Sequence, residues 1–109
     1  MKIYIEDLKF QCIIGILDFE RREVQDVIIN LTIEYNYKDN FINYADIAEF
    51  IKITMKKKKY LLIEDALSDL SQLLKEKFVK INILTLKITK PSILPDCMVS
   101  VGEHYIFDS

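Results

Sequence analysis

The 109-residue chain has no tryptophan, two glycines, two prolines, two cysteines and a single histidine. Each scarcity excludes something. A zinc centre needs about four ligands, or three and a water. His104, Cys12 and Cys97 would have to meet in space, and there is no CxxC or HxxxH spacing. No metal site is expected. Two thiols are also too few for a disulfide framework. The opening Met1-Lys2-Ile3-Tyr4-Ile5 runs at once into Glu6-Asp7, which breaks any apolar signal region. A reduced, cytoplasmic protein is the expectation. No apolar run approaches the roughly 20 residues of a membrane span, so no membrane partner is expected. Positive charge is not in excess either. Fifteen basic and 17 acidic residues leave a net charge of −2, which disfavours nucleic acid as a partner. The one charge run, Lys56–Lys59, reads as a solvated helix end, where cations suit the C-terminal dipole.

What is present is a folding chain. Half of the residues are hydrophobic and 29% are charged, a profile of ordered rather than disordered protein. The length suits one domain over residues 1–109. With so few glycines and prolines, the elements should be long. Residues 2–14 look like a strand with a fault. Ile3 and Ile5 share one phase, Leu8, Phe10 and Cys12 the other, and the flip at Glu6-Asp7 predicts a bulge or sharp bend. Residues 24–37 give the cleanest strand, with Val27, Ile29, Leu31, Ile33, Tyr35 and Tyr37 alternating with mostly polar neighbours. The charged stretch from Gly15 to Glu23 reads as a loop joining the two.

Helical spacing follows over residues 45–58 and, more strongly, over 62–77. Two further strands run from Ile81 to Thr89 and over 98–107. The order β-β-α-α-β-β implies an α+β fold, a four-stranded antiparallel sheet with two helices on one face. Long strands without an edge-blocking proline leave unpaired backbone at the sheet's edges. Assembly of several copies would cover it, so a homo-oligomer is expected.

Four positions stand out as chemistry. Lys90 follows Leu84, Leu86 and Ile88 in the same two-residue phase, which puts an amine on the apolar face. Desolvation there would lower its pKa and make it a candidate base, whereas a lysine snorkelling to solvent is an equally good explanation. Pro91 ends the ladder beside it. Glu20 sits within the charged loop, where a solvated role is the plainer one. Glu64, next to Ile63, is a first-turn helix acid, placed to accept paired N–H donors if half-buried. Tyr44 precedes the first long helix, where a core-edge tyrosine is the plainer role.

Taken together, several segments resemble dihydroneopterin aldolases of the folate pathway. They are Ile14–Gln25 (IGILDFERREVQ), Asn43–Glu49 (NYADIAE), Leu62–Leu67 (LIEDAL), Thr89–Pro91 (TKP) and Val101-Gly102. Each is weak alone, and their order and spacing carry the signal. The resemblance implies the tunnelling fold, in which four subunits form a β-barrel with helices outside, as a homo-tetramer or a homo-octamer with sites at subunit interfaces. It implies retro-aldol cleavage of the pterin 7,8-dihydroneopterin with no metal, Schiff base or cofactor. By motif, Lys90 moves the substrate hydroxyl proton, and Tyr44 from a neighbouring subunit serves proton transfer. Glu20 orders a water and the side-chain hydroxyls. Glu64 binds the pterin amino group and ring N–H with backbone near Ile63. Ile42 lies in the Tyr35–Tyr44 segment, which in relatives helps build the pterin pocket and is shorter here. Ile14 stands where many relatives have histidine. The alternatives are an epimerase of dihydroneopterin or its triphosphate, a non-catalytic pterin-binding module, and a metal-dependent pterin enzyme, the last a poor fit to a single histidine.

Overall fold

The computed structural model describes residues 1–38 and 41–107. Asp39 and Asn40, inside the shortened Tyr35–Tyr44 segment, lie outside the described residues. The elements are β1 (Lys2–Cys12), α1 (Asp18–Arg22), β2 (Gln25–Tyr35), α2 (Tyr44–Lys58), α3 (Ile63–Lys77), β3 (Ile81–Lys90) and β4 (Val99–Ile106). The four strands form one antiparallel sheet in the order β1-β2-β3-β4.

The phase flip in β1 is a β-bulge. Ile5 faces Leu31 and Leu8 faces Ile29, so Glu6 and Asp7 together span a single step of the partner strand. Asp7 takes a left-handed backbone (φ 54°), tolerable for an aspartate. Its N–H donates to the Asn30 side-chain oxygen at 2.8 Å. The extra residue brings Phe10 and Cys12 back to the buried face. In β2, Val27, Ile29, Leu31, Ile33 and Tyr35 are all buried. The strand stops at Tyr35, leaving Tyr37 exposed.

Both long helices cover that one face. α2 buries Ile47, Ile51, Thr54 and Met55; α3 buries Ile63, Ala66, Leu67, Leu70, Ser71 and Leu74. α2 packs on β1, and α3 on β3 and β4. Asn43 caps α2 by accepting the Ala45 N–H at 2.9 Å. At the far end Lys59 turns left-handed (φ 50°) and stops the helix. The Lys56–Lys59 run lies at this helix end, exposed throughout. Lys75 closes α3 by donating to the Val79 and Ile81 carbonyls at 2.7 and 2.8 Å. The charged 15–23 stretch is not all loop, for it folds into the five-residue α1.

Leu70, fully buried between α3 and the sheet, tests this core. Leu70→Ala should lower unfolding free energy by about 2–5 kcal/mol. Urea denaturation should show a lower midpoint and an unchanged slope.

Candidate active site

Lys90 is the last residue of β3 and carries the phase of Leu84, Leu86 and Ile88 onto the helix-covered face. It is 8% exposed. An ammonium there needs a counter-charge, since the desolvation of one buried ion costs several kcal/mol. Glu20, 3% exposed, supplies it. Lys90 Nζ lies 2.5 Å from Glu20 Oε2 across 70 residues of sequence.

The surroundings of Glu20 explain how a glutamate from a charged loop comes to be buried. Its Oε1 accepts the Leu17 N–H at 3.2 Å, closing the first turn of α1. Its Oε2 also accepts from Gln25 Nε2 at 3.0 Å, and the same amide donates to the Ile14 carbonyl at 2.8 Å. Gly15 makes the room. A Cβ there would sit 2.1–2.3 Å from the Glu20 carboxylate atoms, and the backbone stands at φ +125°. Only glycine meets both conditions. Gly15 in turn donates its N–H to the Tyr60 carbonyl in the α2–α3 turn at 3.1 Å. The Tyr60 hydroxyl donates to Asp69 Oδ2 of α3 at 2.6 Å. Burial, the Asp69 hydrogen bond and the Asp69 charge all push the Tyr60 phenol above its ordinary value.

Burial by itself pushes the Glu20 carboxyl up. Hydrogen bonds from Lys90, Gln25 and the Leu17 N–H, with the Lys90 charge, outweigh it and hold the group below the ordinary 4.5. Cys12, at the end of β1, has the opposite balance. Burial pushes its thiol up to about 11 against the positive charges of Lys56 and Lys90. It stays a protonated packing residue. A shallow hollow of about 160 Å³ opens beside the pair, with Glu20, Gln25, Glu23 and Ser92 among its lining residues.

The other expected site residues divide between the two ends of the chain. Tyr44, at the start of α2, is 64% exposed. α2 has 15 residues, about 22 Å at the helical rise, and its far end is the one that meets the Glu20 loop. Within one chain Tyr44 is therefore far from Lys90. Ile42 is buried (5%) beside the start of α2 and lines a depression with Phe41, Asn43 and Phe78. Ile63 is buried at the start of α3, and Glu64 beside it is exposed. Glu64 follows Tyr60 by four residues, so it lies at the Glu20 end of the molecule. Gly15 and Gln25 escaped the reading of the sequence as builders of the site. The signal was there in Gly15, one of only two glycines, five residues before the loop glutamate.

The dihydroneopterin aldolase (FolB) family profile matches residues 3–103. The chain belongs to the dihydroneopterin aldolase family. These are lyases of folate biosynthesis. The dihydroneopterin aldolase of Haemophilus influenzae is 26% identical over 98 residues, covering 83% of this chain and 82% of its own. A Vibrio cholerae structure assigned to dihydroneopterin aldolase (FolB) superposes with a TM-score of 0.88 at 22% identity, over 98% of both chains. Escherichia coli dihydroneopterin aldolase, solved with neopterin, gives 0.85 at 22% identity, over 96% of this chain and 98% of its own. The Burkholderia thailendensis dihydroneopterin aldolase, bound to guanine, gives 0.79 at 18% identity over 99% and 92%. At these identities the structural likenesses establish a shared fold.

The depressed Glu20 carboxyl makes stability depend on pH. Folded Glu20 binds a proton more weakly than it does in the unfolded chain, so its contribution to stability is present above about pH 4.5 and fades as pH falls below it. Urea unfolding of the wild type and of Glu20→Gln should differ most near neutral pH. The two should converge as the medium is acidified.

Proposed function

We propose that this protein cleaves 7,8-dihydroneopterin by a metal-independent retro-aldol reaction, giving 6-hydroxymethyl-7,8-dihydropterin and glycolaldehyde. The observation that carries the reading is the buried Glu20–Lys90 pair in a chain of this family. The bond that breaks joins C1′ and C2′ of the substrate side chain. The 2′-hydroxyl proton leaves, its oxygen becomes the aldehyde of glycolaldehyde, and the bonding electrons pass into the dihydropterin ring. Reprotonation at C1′ then leaves the hydroxymethyl group. The ring is its own electron acceptor, so the protein's work is positioning and proton transfer.

Lys90 is the group that takes and returns the hydroxyl proton through water once its own ammonium proton has passed to Glu20 across their hydrogen bond, and Glu20 orders that water and the side-chain hydroxyls. Glu64 accepts the pterin amino group and ring N–H, assisted by the backbone near Ile63. Guanine and pterins share a 2-amino-4-oxopyrimidine edge. The guanine held by the Burkholderia relative and the neopterin held by the Escherichia coli enzyme support a carboxylate as the recognising group. Tyr44 and the Ile42 depression serve the site of a neighbouring subunit, in a barrel-forming tetramer or a stacked octamer. The exposure of Tyr44 at the opposite end of α2 from the Glu20 loop supports this, as does the edge position of β1 and β4. The expected compartment is the cytoplasm.

Purified, EDTA-treated protein incubated with 7,8-dihydroneopterin should yield both products on chromatography. A 2′-epimer without the hydroxymethyl product would replace aldolase with epimerase, and no product with pterin bound would leave a binding module. Lys90→Ala should lower turnover by about 10²–10⁴-fold while pterin binding persists. Glu64→Ala should instead weaken pterin affinity first, read by fluorescence titration. Full turnover in the first variant or full affinity in the second would overturn the role assigned to that residue.

A further inference from the structure

Arg21, next to Glu20 on α1, is spent entirely on main-chain carbonyls. Its Nη1 donates to Gly15 at 3.0 Å and to Tyr60 at 3.2 Å, and its Nη2 donates to Lys59 at 2.9 Å. Lys59 and Tyr60 follow the last turn of α2, where carbonyls lack intrahelical partners and the helix dipole is negative. A guanidinium suits that place, because its planar fork reaches several acceptors at once. The effect is a clasp. One end of it holds Gly15, against which the Glu20 carboxylate is packed. The other holds the α2–α3 turn, which α3 anchors through Tyr60 and Asp69.

We infer that Arg21 is a positioning residue for the proton-transfer pair: it fastens the Gly15–Glu23 loop to the fixed α2–α3 turn and so sets where Glu20 stands against Lys90. The inference rests on the aldolase reading and assigns within it a role to a residue that touches neither substrate nor reacting atoms. α3 packs on the sheet by its own apolar face, so the pterin anchor Glu64 does not depend on the clasp. Loss of Arg21 should therefore harm the chemical step and spare pterin affinity.

The test is Arg21→Gln in the full chain. Turnover of 7,8-dihydroneopterin should fall by about 10²-fold, the scale expected when a reacting group is misplaced by about 1 Å. Affinity for 6-hydroxymethyl-7,8-dihydropterin should be unchanged. Backbone amides of residues 15–23 should exchange faster, while those of α3 keep their protection. Combined with Glu20→Gln, Arg21→Gln should add no further loss, because it acts through Glu20. Arg21→Lys, which keeps the charge without the fork, should recover part of the turnover, and it carries the same readouts if Arg21→Gln does not fold. Wild-type turnover in Arg21→Gln would overturn the inference. So would a parallel loss of turnover, product affinity and α3 protection, which marks general loosening, or multiplicative losses in the double variant. A wild type that does not cleave dihydroneopterin would remove the aldolase reading, and the exchange comparison would still decide whether Arg21 holds the loop.

Discussion

Two opposite charges, on Lys90 and Glu20, are held out of water against each other, and one whole end of the molecule is arranged around them. Burying either charge alone would carry a desolvation cost of several kcal/mol. The pair joins the end of β3 to the segment between β1 and β2. Antiparallel order makes this possible. The end of β3 lies beside the start of β2, where Ile28 faces Thr89, and Gln25 reaches the same carboxylate from there. Every remaining feature of the loop serves that carboxylate. Gly15 gives it space, the Leu17 N–H and Gln25 give it donors, and α1 gives it a fixed direction.

Such an arrangement is a costly way to stabilise a fold, because well-packed apolar residues in place of a buried ion pair often do as well or better. Its presence fits a site that trades stability for chemistry. An amine at the end of a sheet and a carboxylate beside it can pass a proton to and from a hydroxyl without large movement of either. Glu64 lies at the same end of the chain as this pair, and Tyr44 at the other. α3 begins just beyond the turn at the far end of α2, so residues at the start of α2 and at the start of α3 sit at opposite ends of α2.

Much of this was legible in the residues. Period-two alternation gave β2 and β3, the phase flip at Glu6-Asp7 marked the bulge, and the apolar faces of 45–58 and 62–77 marked the helices within a residue or two. The phase of Lys90 was readable because three buried aliphatic positions in step, Leu84, Leu86 and Ile88, leave no choice for the next one. α1 was not readable, since five residues are too short to show a period and its composition is that of a charged loop. Glu20 looked solvated for the same reason. Its counter-charge, Lys90, lies 70 residues along the chain, and local pattern carries no trace of such a contact. Arg21 and Gln25 were hidden likewise. Their partners are backbone carbonyls and, for Gln25, a carboxylate five residues back, contacts that composition does not announce.

The bulge in β1 also bears on how the chain avoids mispairing. β2 presents Val27, Ile29, Leu31 and Ile33 at equal intervals to its neighbours, and so regular a ladder is nearly degenerate. A partner strand sliding by two residues would find aliphatic faces again. The left-handed Asp7, with its N–H on the Asn30 side chain, breaks that degeneracy, because only one alignment brings the extra residue opposite an asparagine. Three residues beyond the strand's last position comes Gly15, whose place against Tyr60 and Glu20 depends on that alignment. A kink of one residue near the middle of an edge strand thus acts as an index mark, telling the folding chain which of several equivalent pairings leads to a working site.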